Sequence, residues 1–261
     1  MSRRVLIFDT PDAIGGAVAQ DIAARLAAHL AARPGPFLLG CPGGRSPRPV
    51  YAALARLAHA QALDLSRLMI VMMDDYLTPA MDHVPDDAHY SCRRFAREEI
   101  LAVLNAALAD RHRIPDGNLW FPDPANPAAY DGRIAAAGGI DLFLLASGAG
   151  DGHVALNPQG ARFDSPTRIV PLAQQTRRDN LATFPDFASI DQVPTHGVTV
   201  GIATIAAARA SAMLVWGGDK RIAFQQLAQA TTYTPHWPAS VWACCPDATL
   251  YADRSAAGDT L

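Results

Sequence analysis

Short runs that are apolar at almost every position punctuate this sequence, at residues 37–40, 68–73, 140–146, 198–202 and 212–216, each bounded or broken by Gly, Pro or Asp. A strand with one wet face alternates apolar and polar residues, whereas a run apolar on both faces must be covered on both faces. Alanine-rich stretches at 17–32 and 51–62 also occur, where Ile22, Leu26 and Leu30, then Leu54 and Leu57, recur at helical spacing. Buried strands alternating with helices predict a three-layer α/β/α, Rossmann-like parallel sheet, formed by residues 1–261 as a single domain. In such sheets ligands bind beyond the carboxyl ends of the strands, so chemistry is expected where the apolar runs stop.

Charge narrows the choice of partner. Lys and Arg total 22 against 25 Asp and Glu, a net charge of −3, which leaves no positive field for a polyanion; nucleic acid is excluded as the main partner, while a small anion is not. No apolar stretch approaches the roughly 20 residues of a membrane-spanning helix, and the N-terminal run at 5–8 is too short for a signal peptide. Cys41, Cys92, Cys244 and Cys245 show no CxxC and no metal-ligand spacing. A cytoplasmic protein with reduced thiols and no membrane partner is expected.

The ends of the runs carry the candidate site. The first reaches Gly43-Gly44-Arg45-Ser46 just before a helix, where glycines allow close backbone approach and a hydroxyl, amides and helix dipole suit a phosphate. It lacks the Lys-Ser/Thr of a Walker A loop, and ordinary strand-to-helix turns also use paired glycines. The second ends on Asp74-Asp75, whose side chains should diverge because strand side chains alternate; one is expected in the crevice. The third enters Ser147-Gly148-Ala149-Gly150-Asp151-Gly152-His153, where a carboxylate beside an imidazole makes a proton-transfer pair near neutral pH. Cations come from Thr176-Arg177-Arg178, readable equally as solvated surface charge, and from Gly217-Gly218-Asp219-Lys220, where Lys220 at a helix start can reach an anion over the strand ends.

Taken in order, Met73-Asp74-Asp75-Tyr76, His89-Tyr90-Ser91 with Arg94-Phe95, Gly150-Asp151-Gly152-His153 and Val198-Thr199-Val200-Gly201 resemble the glucosamine-6-phosphate deaminase/isomerase and 6-phosphogluconolactonase superfamily, over nearly the whole length from Gly43 to Asp253. Met73-Asp74-Asp75-Tyr76 looks like the deaminase Met-Asp-Glu-Tyr, and Thr199-Val200-Gly201 and Thr167-Arg168-Ile169 favour the same branch. Gly43-Gly44-Arg45-Ser46-Pro47-Arg48-Pro49 looks instead like the lactonase Gly-Gly-Ser-Thr-Pro-Lys-Pro.

The resemblance implies a sugar phosphate as small-molecule partner, held by Gly43, Gly44, Arg45, Ser46, Lys220 and Arg177. Asp74 would move a proton between C1 and C2 of the open chain, and His153, oriented by Asp151, would open the ring. Neither metal nor organic cofactor is required. Three positions depart from the deaminase pattern. Pro158 in Leu156-Asn157-Pro158 replaces the glutamate that assists ring opening. The phosphate arginine expected a few residues after Thr176-Arg177 is missing, so Arg177 or Arg178 would have to substitute. An allosteric lysine falls on Val170, so activation by an acetylated amino sugar phosphate is not expected. The alternatives are a 6-phosphogluconolactonase-like hydrolase, in which His153 acts on water or on the ring oxygen, and a non-catalytic sugar-phosphate-binding protein. Members of the superfamily range from monomers to hexamers, so a homo-oligomer is compatible with the chain.

Overall fold

In the computed structural model, which describes residues 2–258, the chain begins with β1 (Ser2–Phe8), α1 (Pro11–Ala32), β2 (Phe37–Cys41), α2 (Arg48–Gln61), β3 (Leu68–Met72) and β4 (Asp74–Leu77). A helix follows in three parts, α3 (Cys92–Phe95), a π-helical turn (Ala96–Leu101) and α4 (Ala102–Asn105), then β5 (Leu119–Trp120), α5 (Ala128–Ala136) and β6 (Leu142–Ala146). The remainder supplies β7 (Arg168–Pro171), α6 (Gln174–Thr183), β8 (His196–Thr199), α7 (Ile202–Ala206), β9 (Ala210–Val215), α8 (Arg221–Gln229), β10 (Asp247–Asp253) and α9 (Arg254–Ala257).

Local chemistry sets several of these boundaries. Thr10 caps α1 by accepting the Ala13 amide at 3.2 Å, and Pro11, which has no N–H to lose, takes the first helical position. Ile14, Val18, Ile22 and Leu26 then recur every fourth residue and are buried. A Cβ on Gly15 would lie 2.3 Å from the Pro49 carbonyl oxygen, so this glycine is what lets α1 and α2 meet backbone to backbone.

Seven strands pair in parallel in the order β1-β10-β9-β6-β2-β3-β5. Along β6, Leu142 and Leu144 face the layer of α1 and α2, while Phe143 and Leu145 join the core under α5, α7 and α8. This is the three-layer arrangement expected of runs apolar on both faces. After β2 the chain moves outward through β3 and β5, then returns to place β6 on the other side of β2. The strand order therefore reverses between β2 and β6, and the crevice at their carboxyl ends is the switch point of the sheet.

A second sheet, β4-β8-β7, is antiparallel. It corrects the reading of residues 198–202 as another parallel strand. Those residues are apolar because β8 lies between β4 and β7 with Val198 and Val200 fully buried, and the strand stops at Thr199 before α7 begins at Ile202. Gly201 sits at that corner, where a Cβ would fall 1.9 Å from the Ser165 carbonyl oxygen. The run 68–77 divides as well. Met73 breaks it, its amide bonded to the Cys41 carbonyl and its own carbonyl to the Val200 amide, so Asp74 and Asp75 begin a strand of the second sheet instead of ending one of the first. The Pro-rich stretch 115–127 is ordered and contributes the edge strand β5.

Candidate active site

Four strands that are neighbours in the sheet, β9, β6, β2 and β3, deliver the chemistry from their carboxyl ends. In that order they lead to Lys220, to Asp151 and His153, to the turn 43–46, and to Asp74.

Asp74 and Asp75 diverge as strand alternation requires, and their surroundings differ. Asp75 is fully buried and fully used. One oxygen accepts the Tyr76 amide at 2.9 Å and the Cys92 amide at 3.0 Å; the other faces His83 Nδ1 at 3.1 Å and Arg93 Nε at 3.3 Å. It pins segment 83–93 beneath β4. Asp74 is also buried, but among the described residues its side chain receives a single hydrogen bond, from the Cys92 thiol to Oδ1 at 3.5 Å. Burial pushes its pKa up to about 7; the thiol hydrogen bond opposes this, the charge of Asp75 adds to it, and His153 draws it back. Asp74 and His153 are thus close enough for their charges to interact. A carboxylate poised near neutrality is a competent general base, and candidate bases are sought among groups perturbed in this way.

Beyond β6 the chain folds into a tight turn that holds Asp151 against His153. Nδ1 of the imidazole lies 2.8 Å from Asp151 Oδ1, which also accepts the His153 amide at 3.2 Å. Burial raises the Asp151 pKa, but the hydrogen bond and charge of His153 outweigh it, and the carboxyl sits below its usual value. With Nδ1 turned to the carboxylate, Nε2 is the ring nitrogen left to act. Two glycines make this possible. A Cβ at Gly148 would lie 2.1 Å from Asp151 Oδ1 and 2.3 Å from His153 Nδ1, and at Gly152, with φ +65°, it would strike the Trp237 indole at 2.3 Å. Trp237 thus lies against the backbone of the turn, and the Ala239 amide bonds to the Gly152 carbonyl at 2.8 Å.

The cations gather on the neighbouring loop. Lys220 Nζ donates to the Ser147 carbonyl at 2.6 Å, and its pKa is lowered by burial first, with Asp219, Asp179 and Asp151 opposing and Arg45 assisting. Lys220 and Arg45 are therefore mutually repelling cations in one place, the arrangement an anion relieves. Arg45 is exposed, pairs with Asp219 at 2.7 Å, and lies over the Trp216 ring 5.0 Å from its centroid. Trp216 Nε1 donates to the Ser46 carbonyl, joining the turn after β2 to the loop after β9. Within the turn, Gly44 has φ +80° and open space where a Cβ would stand. The expected contribution of the α2 N-terminus is smaller than the sequence suggested. Pro47 caps the helix and Pro49 lies in its first turn, so two amide donors are missing there, and the Val50 amide already bonds to Pro47.

Arg177 is placed otherwise than expected. One amino group of its guanidinium donates to the carbonyls of Ile190 (2.6 Å) and Val193 (3.2 Å), which engages it in closing the loop after α6. Its neighbour Asp179 is the residue of α6 whose charge Lys220 senses. Val170 is buried in β7. Asn157 is fully buried; its amide donates to the Val154 and Val200 carbonyls and its oxygen accepts from Arg168, so it is engaged in holding the segment before Pro158.

Several neighbours of the site were given no role from sequence. Cys92 touches Asp74. Tyr76, two residues along β4 from Asp74 and so on the same face, donates its hydroxyl to Asn180 Oδ1 on α6 at 3.1 Å. His89, Tyr90, Phe184 and Phe187 pack edge to face around that contact and seat α6 beside the crevice. An open groove of about 570 Å³ between residues 158 and 171 is lined by none of the candidate residues.

Residues 9–250 match the family of glucosamine-6-phosphate isomerases and 6-phosphogluconolactonases. The chain belongs to this family. Within it, the chain is 39% identical to a glucosamine-6-phosphate deaminase of Pseudarthrobacter chlorophenolicus over 84% of its own length and 80% of that protein's, and 37% identical to one of Streptomyces avermitilis over 95% and 89%. A solved structure described as a monomeric glucosamine-6-phosphate deaminase superposes with a TM-score of 0.82 at 25% identity, covering 97% of this chain and 98% of the other. This family member therefore carries its fold and its cluster of strand-end residues together, and its similarity lies toward the deaminase/isomerase side.

Proposed function

We propose that this protein is a hexosamine 6-phosphate deaminase/isomerase, in which Asp74 moves a proton between C2 and C1 of the open-chain sugar. The observation that carries the reading is Asp74 itself: a buried carboxylate, poised near neutrality and sensing the charge of the Asp–His pair, in a sheet whose neighbouring strand ends carry the cations Arg45 and Lys220. The deaminase relatives support the same reaction class.

The steps follow from where the groups stand. The phosphate binds between the 43–46 turn, Lys220 and Arg45, and this remote binding energy orients the sugar carbons toward Asp74. His153 Nε2 takes the proton of the anomeric hydroxyl while Asp151 stabilises the resulting imidazolium, which returns the proton to the ring oxygen as the ring bond breaks and C1 becomes an aldehyde. The C2 proton, now alpha to a carbonyl, passes to Asp74 and is returned to C1. The C2 amine becomes an imine, which water converts to a ketone with release of ammonia. With Pro158 at the family's glutamate position, ring opening rests on Asp151 and His153. Arg177 has no part, because its guanidinium serves backbone carbonyls.

The purified protein is to be incubated in parallel with hexosamine 6-phosphates, ketohexose phosphates and 6-phosphogluconolactone, following ammonia, ketose and acid. Ammonia and ketose in equal amounts from a hexosamine 6-phosphate are expected. Acid released from the lactone alone would make the protein a hydrolase, and a bound, unchanged ligand would make it a sensor.

A further inference from the structure

Cys92 is a buried titratable group that the reaction above does not use, yet it touches the group that does the chemistry. It is the first residue of α3, capped by Ser91, whose side-chain oxygen accepts the Arg94 amide at 3.3 Å. From that position it gives one donor to each of two adjacent carboxylates: its amide to Asp75 at 3.0 Å and its thiol to Asp74 at 3.5 Å. Its sulfur also lies 3.9 Å from where a Cβ on Gly43 would stand, which puts it against the base of the anion-binding turn. We propose that Cys92 is a positioning residue whose thiol hydrogen bond to Asp74 sets the pH at which that carboxylate becomes a base, a role that rests on the reading of Asp74 given above.

The thiol suits that task because it cannot titrate. Burial, then the charges of Asp74 and Asp75, push its pKa well above the usual thiol value, so it remains an S–H donor wherever the enzyme works and is no nucleophile. A hydrogen bond to a carboxylate favours the ionised form and opposes the effect of burial. Every other group facing Asp74 is accounted for. Asp75 on the same strand repels its charge, and His153 on the turn after β6 attracts it. Tyr51 on α2, Tyr76 on β4 and Tyr130 on α5 are phenols that burial keeps neutral. Among the described residues Cys92 is the one hydrogen-bond donor to the Asp74 side chain, and a weak one, which keeps the carboxyl near neutrality instead of stabilising it far below.

The test is the pH profile of kcat/KM for Cys92→Ala and Cys92→Ser. Loss of the donor should move the acidic limb of Cys92→Ala up by about one pH unit, leaving about tenfold less activity below the limb and an unchanged alkaline plateau. The hydroxyl of Cys92→Ser, a stronger donor, should restore the limb or carry it lower. A second readout does not depend on turnover. In the infrared, the S–H band assigned by subtracting the Cys92→Ala spectrum should shift as pH crosses the acidic limb, and the shift should vanish in Asp74→Asn. If both variants lose rate equally at every pH, or the band is indifferent to pH, the proposal is overturned. If the band responds but Asp74→Asn still turns over, the contact stands and it is the assignment of Asp74 as base that fails.

Discussion

Strand β6 has a buried carboxylate near its amino end and the Asp151–His153 pair beyond its carboxyl end, and the two ends are built on opposite principles. At the amino end, Asp141 accepts the Leu38 amide at 2.9 Å and the Arg209 guanidinium at 2.9 Å, with His29 Nδ1 at 3.6 Å. It ties β2, β6 and the loop before β9 together. At the carboxyl ends of the same sheet, Asp74 is buried with one weak donor, Asp151 keeps one oxygen buried and without a partner among the described residues, and Lys220 is a half-buried ammonium resting on a carbonyl. Burial is common to both ends; the number of partners distinguishes them. A satisfied carboxylate stabilises the fold, whereas an unsatisfied one costs stability and is kept ready for a ligand or a proton.

The sharpest break in this contrast is a pair of isosteric changes. Asp74→Asn should lower kcat by about 10³. It should also make the protein more stable at pH 8. A carboxyl whose folded pKa is about 7, above its ordinary 3.8, contributes stability fully present below that ordinary value and lost as pH rises to about 7, so the alkaline protein carries a cost of up to about 4 kcal/mol that asparagine removes. Asp141→Asn should do the reverse, leaving kcat within about twofold but destabilising the fold by about 1.5 kcal/mol at pH 8, because the charge-assisted bond from the part-exposed Arg209 is lost. Urea unfolding at pH 5 and pH 8 with steady-state kinetics reads both; an Asp74→Asn protein that is less stable at pH 8 than the parent would erase the distinction.

Lys220→Met sharpens it on the cationic side. Losing a charge-assisted contact to phosphate should raise KM by about 10- to 100-fold with a smaller change in kcat, and removing a half-buried ammonium should leave thermal stability equal or higher. Inorganic phosphate as a competitive inhibitor reports the same loss without turnover. The smallest effect is expected at Gly44. A side chain fits the open space there but not φ +80°, so Gly44→Ala should cost about 1 kcal/mol of stability and raise KM a few-fold. An unchanged KM would remove this turn from the phosphate site.

The candidate site was legible where residue type alone restricts the chemistry. Asp151 and His153 are two apart in a glycine-rich turn, and that spacing leaves few arrangements other than contact. Lys220 follows a glycine pair at a helix start. Arg177 was not legible, since a guanidinium looks alike in sequence whether it faces an anion or, as here, the carbonyls of Ile190 and Val193. Cys92 could not be singled out either, because a cysteine 18 residues from Asp74 carries no sign of its partner. In the fold, β10 (Asp247–Asp253) was missed because its small and polar residues, buried against β1 and β9, break the apolar pattern that marked the other central strands.

What the sequence determined by itself is the layered parallel sheet and the placing of chemistry at its strand ends. Apolar periodicity, and the glycines and prolines that interrupt it, act through neighbouring residues and can be read along the chain. What only the tertiary structure decided is which buried groups are satisfied. Whether Asp74 and Asp75, identical and adjacent, end as a sparsely bonded carboxyl and an anchor depends on donors brought in from α3 and from segment 83–93. Desolvation and hydrogen bonding are set by whatever fills the last few ångströms around a group, and that is a property of the packed molecule.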